Sequence, residues 1–175
     1  MFDTLTIVNY ALLVPLAALI TYYDARYRRI PNAFVLATLV AGLAVNSIFG
    51  GWAGAVASVG GFASAFCLML LLHIFGAMGA GDVKLFGSIG SVVGAQLVLP
   101  TFLVVVLLGG ALAVVTMVRG GVVRETLWRV AQIFVGLLPG WEMPRFSVPE
   151  ERRHTIPYGV AITFGSIISL AIFRA

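Results

Sequence analysis

The chain has 175 residues, of which 61% are hydrophobic and only 10% are charged, and its net charge is +4. Soluble domains carry roughly 25% charged residues, so this composition excludes an ordinary water-soluble protein. The mean hydropathy of +1.06 predicts an all-α integral membrane protein. The positive charge does not predict a nucleic-acid partner, because the arginines stand in short loops between apolar runs.

Charge-free stretches predict where the chain crosses the membrane. Four of them cover residues 4–23, 30–81, 85–118 and 154–173. Because one span needs about 20 residues, the first and the last stretch hold one span each. The second stretch must turn back on itself. The glycines of Gly50-Gly51-Trp52 permit that turn, which separates predicted spans at residues 33–49 and 53–75.

The third stretch is long for one span and short for two. Gly94-Ala95-Gln96 and Pro100 mark its break, which predicts a short helix at residues 83–93 and a fuller one at 97–118. The total is six transmembrane helices. No polar segment is long enough to fold separately, so we expect residues 1–175 to form a single membrane-embedded domain.

The basic residues predict the orientation, because Lys and Arg concentrate in cytoplasmic loops. Three arginines lie between the first and second spans, and six lie between the fifth and sixth. With six spans, these two loops share one side, which would be the cytoplasmic side of the inner membrane. Both termini would then lie on the opposite side. Arg174 would be the one basic residue there.

The segment between the last two spans predicts a helix that lies on the membrane surface. Val123, Leu127, Val130 and Phe134 recur at helical spacing, which indicates an interfacial amphipathic helix in the last cytoplasmic loop. The prolines after it predict irregular structure. This segment is either a surface-lying linker or a substrate-docking element.

Two acidic residues stand where the predicted topology brings them together. Asp24 ends the first span and Asp82 opens the fourth, so both lie at the cytoplasmic face. A two-carboxylate hydrolase needs this arrangement, since one ionised carboxylate activates a water and the protonated one polarises the carbonyl. Close carboxylates in a low-dielectric site share a proton.

The residues around Asp82 allow two interpretations. Gly79 and Gly81 precede it, and glycines let an extended peptide approach the backbone closely. The same pattern also fits a loop followed by a helix whose first-turn Asp complements the macrodipole. Lys84 either tunes the charge of Asp82 or marks the cytoplasmic edge of the span.

Three motifs resemble those of the type IV prepilin peptidases. Asp24 is followed six residues later by Ile30-Pro31-Asn32, as at the first site of that family. Gly79-Ala80-Gly81-Asp82-Val83-Lys84 resembles its GxGD site. The run from Ile156 to Ile162, Ile-Pro-Tyr-Gly-Val-Ala-Ile, is similar to the last-span entry of the short Flp/Tad-type members.

The resemblance implies an aspartyl endopeptidase that cuts the N-terminal leader from a prepilin at the cytoplasmic membrane face. It implies Asp24 and Asp82 as the catalytic pair, and Gly79 and Gly81 as shaping the loop under the substrate. The Ile30-Pro31-Asn32 turn would set the start of the second span. The partners would be the prepilin and the lipid bilayer. The larger bifunctional members also methylate the pilin, but this chain has no cytoplasmic domain with paired cysteines, so we expect peptidase activity only.

The sequence predicts neither a metal nor another cofactor. The single cysteine, Cys67, stands in an apolar run, and no His, Cys and Asp residues have metal-ligand spacing. His73 is expected to pack at the membrane interface rather than to catalyse.

Three other functions remain open on the residues alone. A small proton-coupled transporter would use intramembrane acids, although neither aspartate lies near the predicted midplane. A non-enzymatic assembly subunit of a pilus or secretion machine would leave both aspartates dispensable. A lipoprotein signal peptidase would place its aspartates on the opposite membrane face.

Overall fold

The computed structural model describes residues 4–27, 29–74, 78–121, 123–124, 128 and 158–174. The described part contains five main helices and no strand. They are α1 (Thr4–Tyr27), α2 (Asn32–Ile74), α3 (Ala80–Val93), α4 (Ala95–Gly120) and α5 (Tyr158–Phe173). The all-α prediction is therefore confirmed for the described residues. The predicted interfacial helix and the proline-rich stretch lie largely outside them.

Three of these helices, α1, α2 and α4, are long and apolar enough to cross a membrane. Helix α1 continues past the predicted span to Tyr27, so Asp24 lies within its last turns. Its buried residues recur every three or four positions, which gives one face of a helix. That face contains Thr6, Asn9, Leu13, Leu16, Ala17, Ile20 and Asp24.

Helix α2 reverses its direction at Gly51, as the glycine pair predicted. Gly51 has φ 58° and ψ −143°, a backbone conformation that side chains rarely adopt. Asn46 and Ser58 lie on opposite sides of Gly51, yet both donate a hydrogen bond to the carbonyl oxygen of Ser91. A straight helix would separate these two residues by about 18 Å, so residues 32–50 and 52–74 must run side by side.

Helix α3 is short and forms the centre of the fold. Ten of its fourteen residues, Val83 and Leu85 to Val93, are buried. Both halves of α2 approach it closely at glycines, since a Cβ atom on Gly42 would collide with Ser91 and one on Gly61 with the carbonyl of Gly90.

The predicted break after α3 lies at Gly94, where φ is 79°. Helix α4 begins two residues before the predicted helix at residues 97–118, and both contain Pro100. The proline falls in the second turn of that helix, where it removes one backbone hydrogen bond without ending the helix. Helix α4 packs on α5 through Thr101 and Ser169, whose hydroxyl oxygens are 2.9 Å apart.

The chain divides into a larger unit, residues 1–109 and 157–175, and a smaller unit, residues 110–156. All of the described residues that bear on the site belong to the larger unit. Most of the smaller unit lies outside the described residues, and the prediction of a single domain stays a prediction.

Candidate active site

Asp24 is buried at the cytoplasmic end predicted for α1. Its side chain is 9% exposed and continues the buried face that Ile20 occupies one turn earlier. A carboxylate in such a place is unusual, because burial of a charge is costly unless other groups stabilise it. Its burial among helices, rather than at a solvated helix end, is the first sign of a functional site.

Asp82 lies in the first turn of α3, outside the three long apolar helices. Gly79 precedes that helix in an extended conformation, and its carbonyl oxygen accepts the backbone N–H of Asp82 at 3.1 Å. A Cβ atom on Gly79 would stand 3.1 Å from Asp82 Oδ2. The loop backbone therefore lies against the carboxylate, where a side chain would crowd it. This contact gives a physical reason for a glycine at the first position of the motif.

The two aspartates act on each other electrostatically. The pKa of Asp82 is raised from its ordinary 3.8 to about 6, first by burial and then by the negative charge of Asp24, while a hydrogen bond from the Gly79 backbone opposes both. Like charges that lie close together disfavour the second ionisation. The structure thus brings the two predicted acids, one from α1 and one from α3, within electrostatic range.

The first and second motifs also meet through apolar contact. A Cβ atom on Gly81 would lie 3.8 Å from the Cβ and the Cδ1 atoms of Ile30. Pro31 precedes α2, and its carbonyl oxygen accepts the backbone N–H of Phe34 at 3.1 Å. The turn therefore fixes both the start of α2 and the position of Ile30 beside the second motif. Asn32 is exposed at this helix start.

Helix α5 brings a third group of residues to the aspartates. A Cβ atom on Gly159 would stand 3.0 Å from Asp24 Oδ2, so the backbone of α5 lies directly against that carboxylate. The preceding Tyr158 is within electrostatic range of Asp82. Neither residue was among the predicted site residues. The motif that begins at Ile156 was the available signal, but its sequence alone does not predict that it lies against Asp24.

Other predicted residues lie at the margin of the site. Lys84 is exposed, and the groups that shift the pKa of Asp82 are Asp24 and Gly79. This arrangement favours the membrane-edge interpretation of Lys84. His73 Nδ1 donates a hydrogen bond to the carbonyl oxygen of Met78 at 2.7 Å, so His73 links the end of α2 to the loop before α3.

The described residues contain no group of three or more His, Cys, Asp or Glu side chains that is suited to a metal ion. What the site offers is a pair of carboxyl groups, one of which has a raised pKa, beside two closely approaching glycine backbones. Such a pair is able to hold one proton between its members and to activate water.

Comparison with known proteins agrees with the motifs. The family model described as "Type IV leader peptidase family" matches residues 11–114. A curated relative from Bacillus subtilis (strain 168), "Prepilin leader peptidase/N-methyltransferase", is 29% identical over 159 residues. The match covers 89% of this chain and 52% of the relative, so the chain spans about half the length of that protein. No solved structure matches the chain.

Proposed function

Since the chain belongs to the type IV leader peptidase family, a family of proteases, we propose that it is a membrane aspartyl endopeptidase that removes the N-terminal leader from type IV prepilins. The observation that carries this proposal is the placement of Asp24 and Asp82, two acids from separate helices, within electrostatic range of each other. The similarity of the Ile156 to Ile162 run to the short Flp/Tad-type members supports an Flp-type prepilin as the substrate.

The proposed reaction uses one proton shared by the two carboxyl groups. The ionised carboxylate takes a proton from water as the water oxygen attacks the scissile carbonyl carbon, while the protonated carboxyl polarises the carbonyl oxygen. The C–N bond then breaks, and the leaving amine takes a proton from the pair. The raised pKa of Asp82 favours Asp82 as the holder of the shared proton, and Asp24 as the base.

The proposed location is the inner membrane, with the site open to the cytoplasm. Six spans follow if the two halves of α2 and the short helices α3 and α5 are each counted as one crossing, together with α1 and α4. The nine arginines of the two loops then lie on the cytoplasmic side, beside Asp24 and Asp82. Both termini lie on the other side.

The proposal covers peptide hydrolysis only. The relative's printed name also includes an N-methyltransferase, but the match extends over 52% of that protein. Peptidase activity without methylation therefore stays our prediction.

Leader cleavage tests the proposal. The protein is co-expressed with a candidate prepilin from its own genome, and the mass of the pilin is followed for wild type, Asp24→Asn and Asp82→Asn. Asp3→Asn is the matched control, because it makes the same change outside the predicted pair. We expect both site variants to lose cleavage at normal membrane levels, whereas Asp3→Asn keeps it.

Other results would separate the parts of the proposal. If wild type cleaves and both site variants still cleave, the activity stands but the catalytic pair is wrong. If wild type cleaves none of the candidate prepilins, the transporter and the assembly-subunit interpretations replace the peptidase.

A further inference from the structure

Helix α3 ends among buried residues of the fold. Its fourteen residues extend about 21 Å, which is less than the roughly 30 Å of the hydrocarbon core. The last four carbonyl groups of a helix have no partner within the helix. The residues that carry these carbonyls, Gly90 to Val93, are buried, so the carbonyls need partners from neighbouring parts of the chain.

Side chains from three other helices bind these carbonyl groups. They come from α1, from both halves of α2 and from the end of α5, and we call them the α3 cap. The cap bonds are Asn46 Nδ2 to Ser91 O (2.7 Å) and Val92 O (3.1 Å), Ser58 Oγ to Ser91 O (2.8 Å), Asn9 Nδ2 to Val92 O (3.4 Å) and Arg174 Nη2 to Val93 O (3.3 Å).

Asn46 is the central member of the cap. Its amide group donates to two successive carbonyl oxygens, and its side chain is 5% exposed. An asparagine amide carries two N–H donors, so Asn46 uses its full donor capacity on α3. Replacement by an apolar residue would leave Val92 O with the long bond from Asn9 and Ser91 O with the bond from Ser58.

The cap and the candidate active site lie at opposite ends of the same helix. Asp82 precedes Ser91 by nine residues, about 14 Å along the axis. The helix between them is buried and touches both halves of α2 at glycine backbones, so it moves as one body. A shift at the capped end therefore displaces Asp82 relative to Asp24.

We infer that Asn46 is a positioning residue, which fixes the depth and rotation of α3 so that Asp82 meets Asp24. The inference rests on the proposed function for its catalytic consequence, but its geometric part is independent of any activity. It assigns a role to a buried polar side chain that lies at the far end of α3 from both aspartates.

A cross-link measures the position of α3 without using activity. Because the Cβ of Ile30 and a Cβ placed on Gly81 are 3.8 Å apart, cysteines at both positions match the spacing of a disulfide. Ile30→Cys and Gly81→Cys are combined with Cys67→Ala, which removes the one native thiol. We expect this pair to cross-link on mild oxidation, and Asn46→Leu to slow the cross-linking by about tenfold.

Leader cleavage by the purified enzyme, with its native Ile30 and Gly81, gives the second readout. For Asn46→Leu we expect kcat per folded enzyme to fall by about tenfold or more with KM unchanged, since a misplacement of about 1 Å is enough for such a loss. Asn46→Gln, which keeps the amide, should recover part of kcat. Thr38→Val is the control, because Thr38 is also buried in α2 but donates only within its own helix, to Phe34 O.

The inference is overturned if folded Asn46→Leu keeps both the wild-type cross-linking rate and the wild-type kcat. If Asn46→Leu does not fold, Ser58→Ala decides. Ser47→Ala is its control, because Ser47 Oγ donates only within its own helix, to Leu43 O. Ser58→Ala should slow both readouts, and no change in either would overturn the inference. Cleavage that survives Asp24→Asn would instead refute the catalytic pair, while the cross-link would still report on the cap.

Discussion

At the scale of single residues, the contact between Gly159 and Asp24 is the most sensitive point of the site. The backbone of α5 lies where a methyl group would stand 3.0 Å from both Asp24 Oδ2 and Ile20 Cγ2. Such distances are shorter than ordinary van der Waals contacts, so a side chain here must displace the carboxylate or the helix.

We therefore expect Gly159→Ala to lower the rate of leader cleavage by about 10²-fold, the loss that a small displacement of a catalytic group produces. Gly110→Ala is the matched control, because a Cβ atom at Gly110 has no neighbour within 4 Å. Cleavage kinetics of the two purified variants provide the measurement. Equal rates for Gly159→Ala and wild type would show that the position of the Asp24 carboxylate does not limit the reaction.

The raised pKa of Asp82 predicts how cleavage depends on pH. If Asp82 holds the shared proton, the active form declines as the pH rises above about 6, where Asp82 ionises. The cleavage rate should then fall by about tenfold for each pH unit well above that value. A rate that rises between pH 6 and pH 8 would contradict this role and make Asp82 the base.

The same pKa predicts an effect on stability. A folded-state pKa above the unfolded value means that the stabilisation is complete below about pH 4 and is lost as the pH rises through about 6. Asp82→Asn removes the charge that burial opposes, so at pH 7.5 it should be more stable than wild type by on the order of 2 kcal/mol. Thermal unfolding in detergent at pH 4 and pH 7.5 tests this, and the difference should vanish at the lower pH.

At the scale of elements, close helix packing depends on some glycines and not on others, because the space around them differs. A Cβ atom on Gly61 would collide with the carbonyl of Gly90, whereas one on Gly50, in the same helix, has no neighbour within 4 Å. Without a polar solvent around them, membrane helices associate through such close backbone contacts.

Gly61→Ala should therefore destabilise the protein by about 1–3 kcal/mol, as overpacking of a tight contact does. Gly50→Ala should leave the midpoint of thermal unfolding near that of wild type. Unfolding of both variants in the same detergent measures the difference. If Gly61→Ala matched Gly50→Ala, the second half of α2 would not be held against α3 through this contact.

The elements were largely predictable because they depend on local signals. The helices could be predicted from the length of the charge-free stretches. Two of their boundaries could be predicted from the glycine pair at Gly50-Gly51 and the glycine at Gly94. Asp24 and Asp82 were found because few acidic residues occur in such a chain. Gly159 and the α3 cap could not be predicted from the sequence, since they depend on which helices meet. In a membrane the surface is as apolar as the core, so hydrophobic periodicity cannot show which face of a helix is buried.

At the scale of the whole molecule, the six-span arrangement makes a prediction of its own. The two arginine-rich loops should lie on one side of the membrane and both termini on the other. Single cysteines in a Cys67→Ala background, placed in each loop and near each terminus, are probed with a thiol reagent that does not cross the membrane. Labelling of one terminus together with a basic loop would contradict six spans.

Helix α5 has consequences for the bilayer itself. Its sixteen residues extend about 24 Å, several ångströms less than the typical hydrocarbon thickness, and Phe164, Ile168 and Ile172 are exposed along it. Lipids beside so short a helix are expected to compress to match it, and this hydrophobic mismatch draws the headgroup region inward. The mismatch is relieved in thin membranes and grows in thick ones. Acyl-chain length would therefore set the strain under which the helix that carries Gly159 is held.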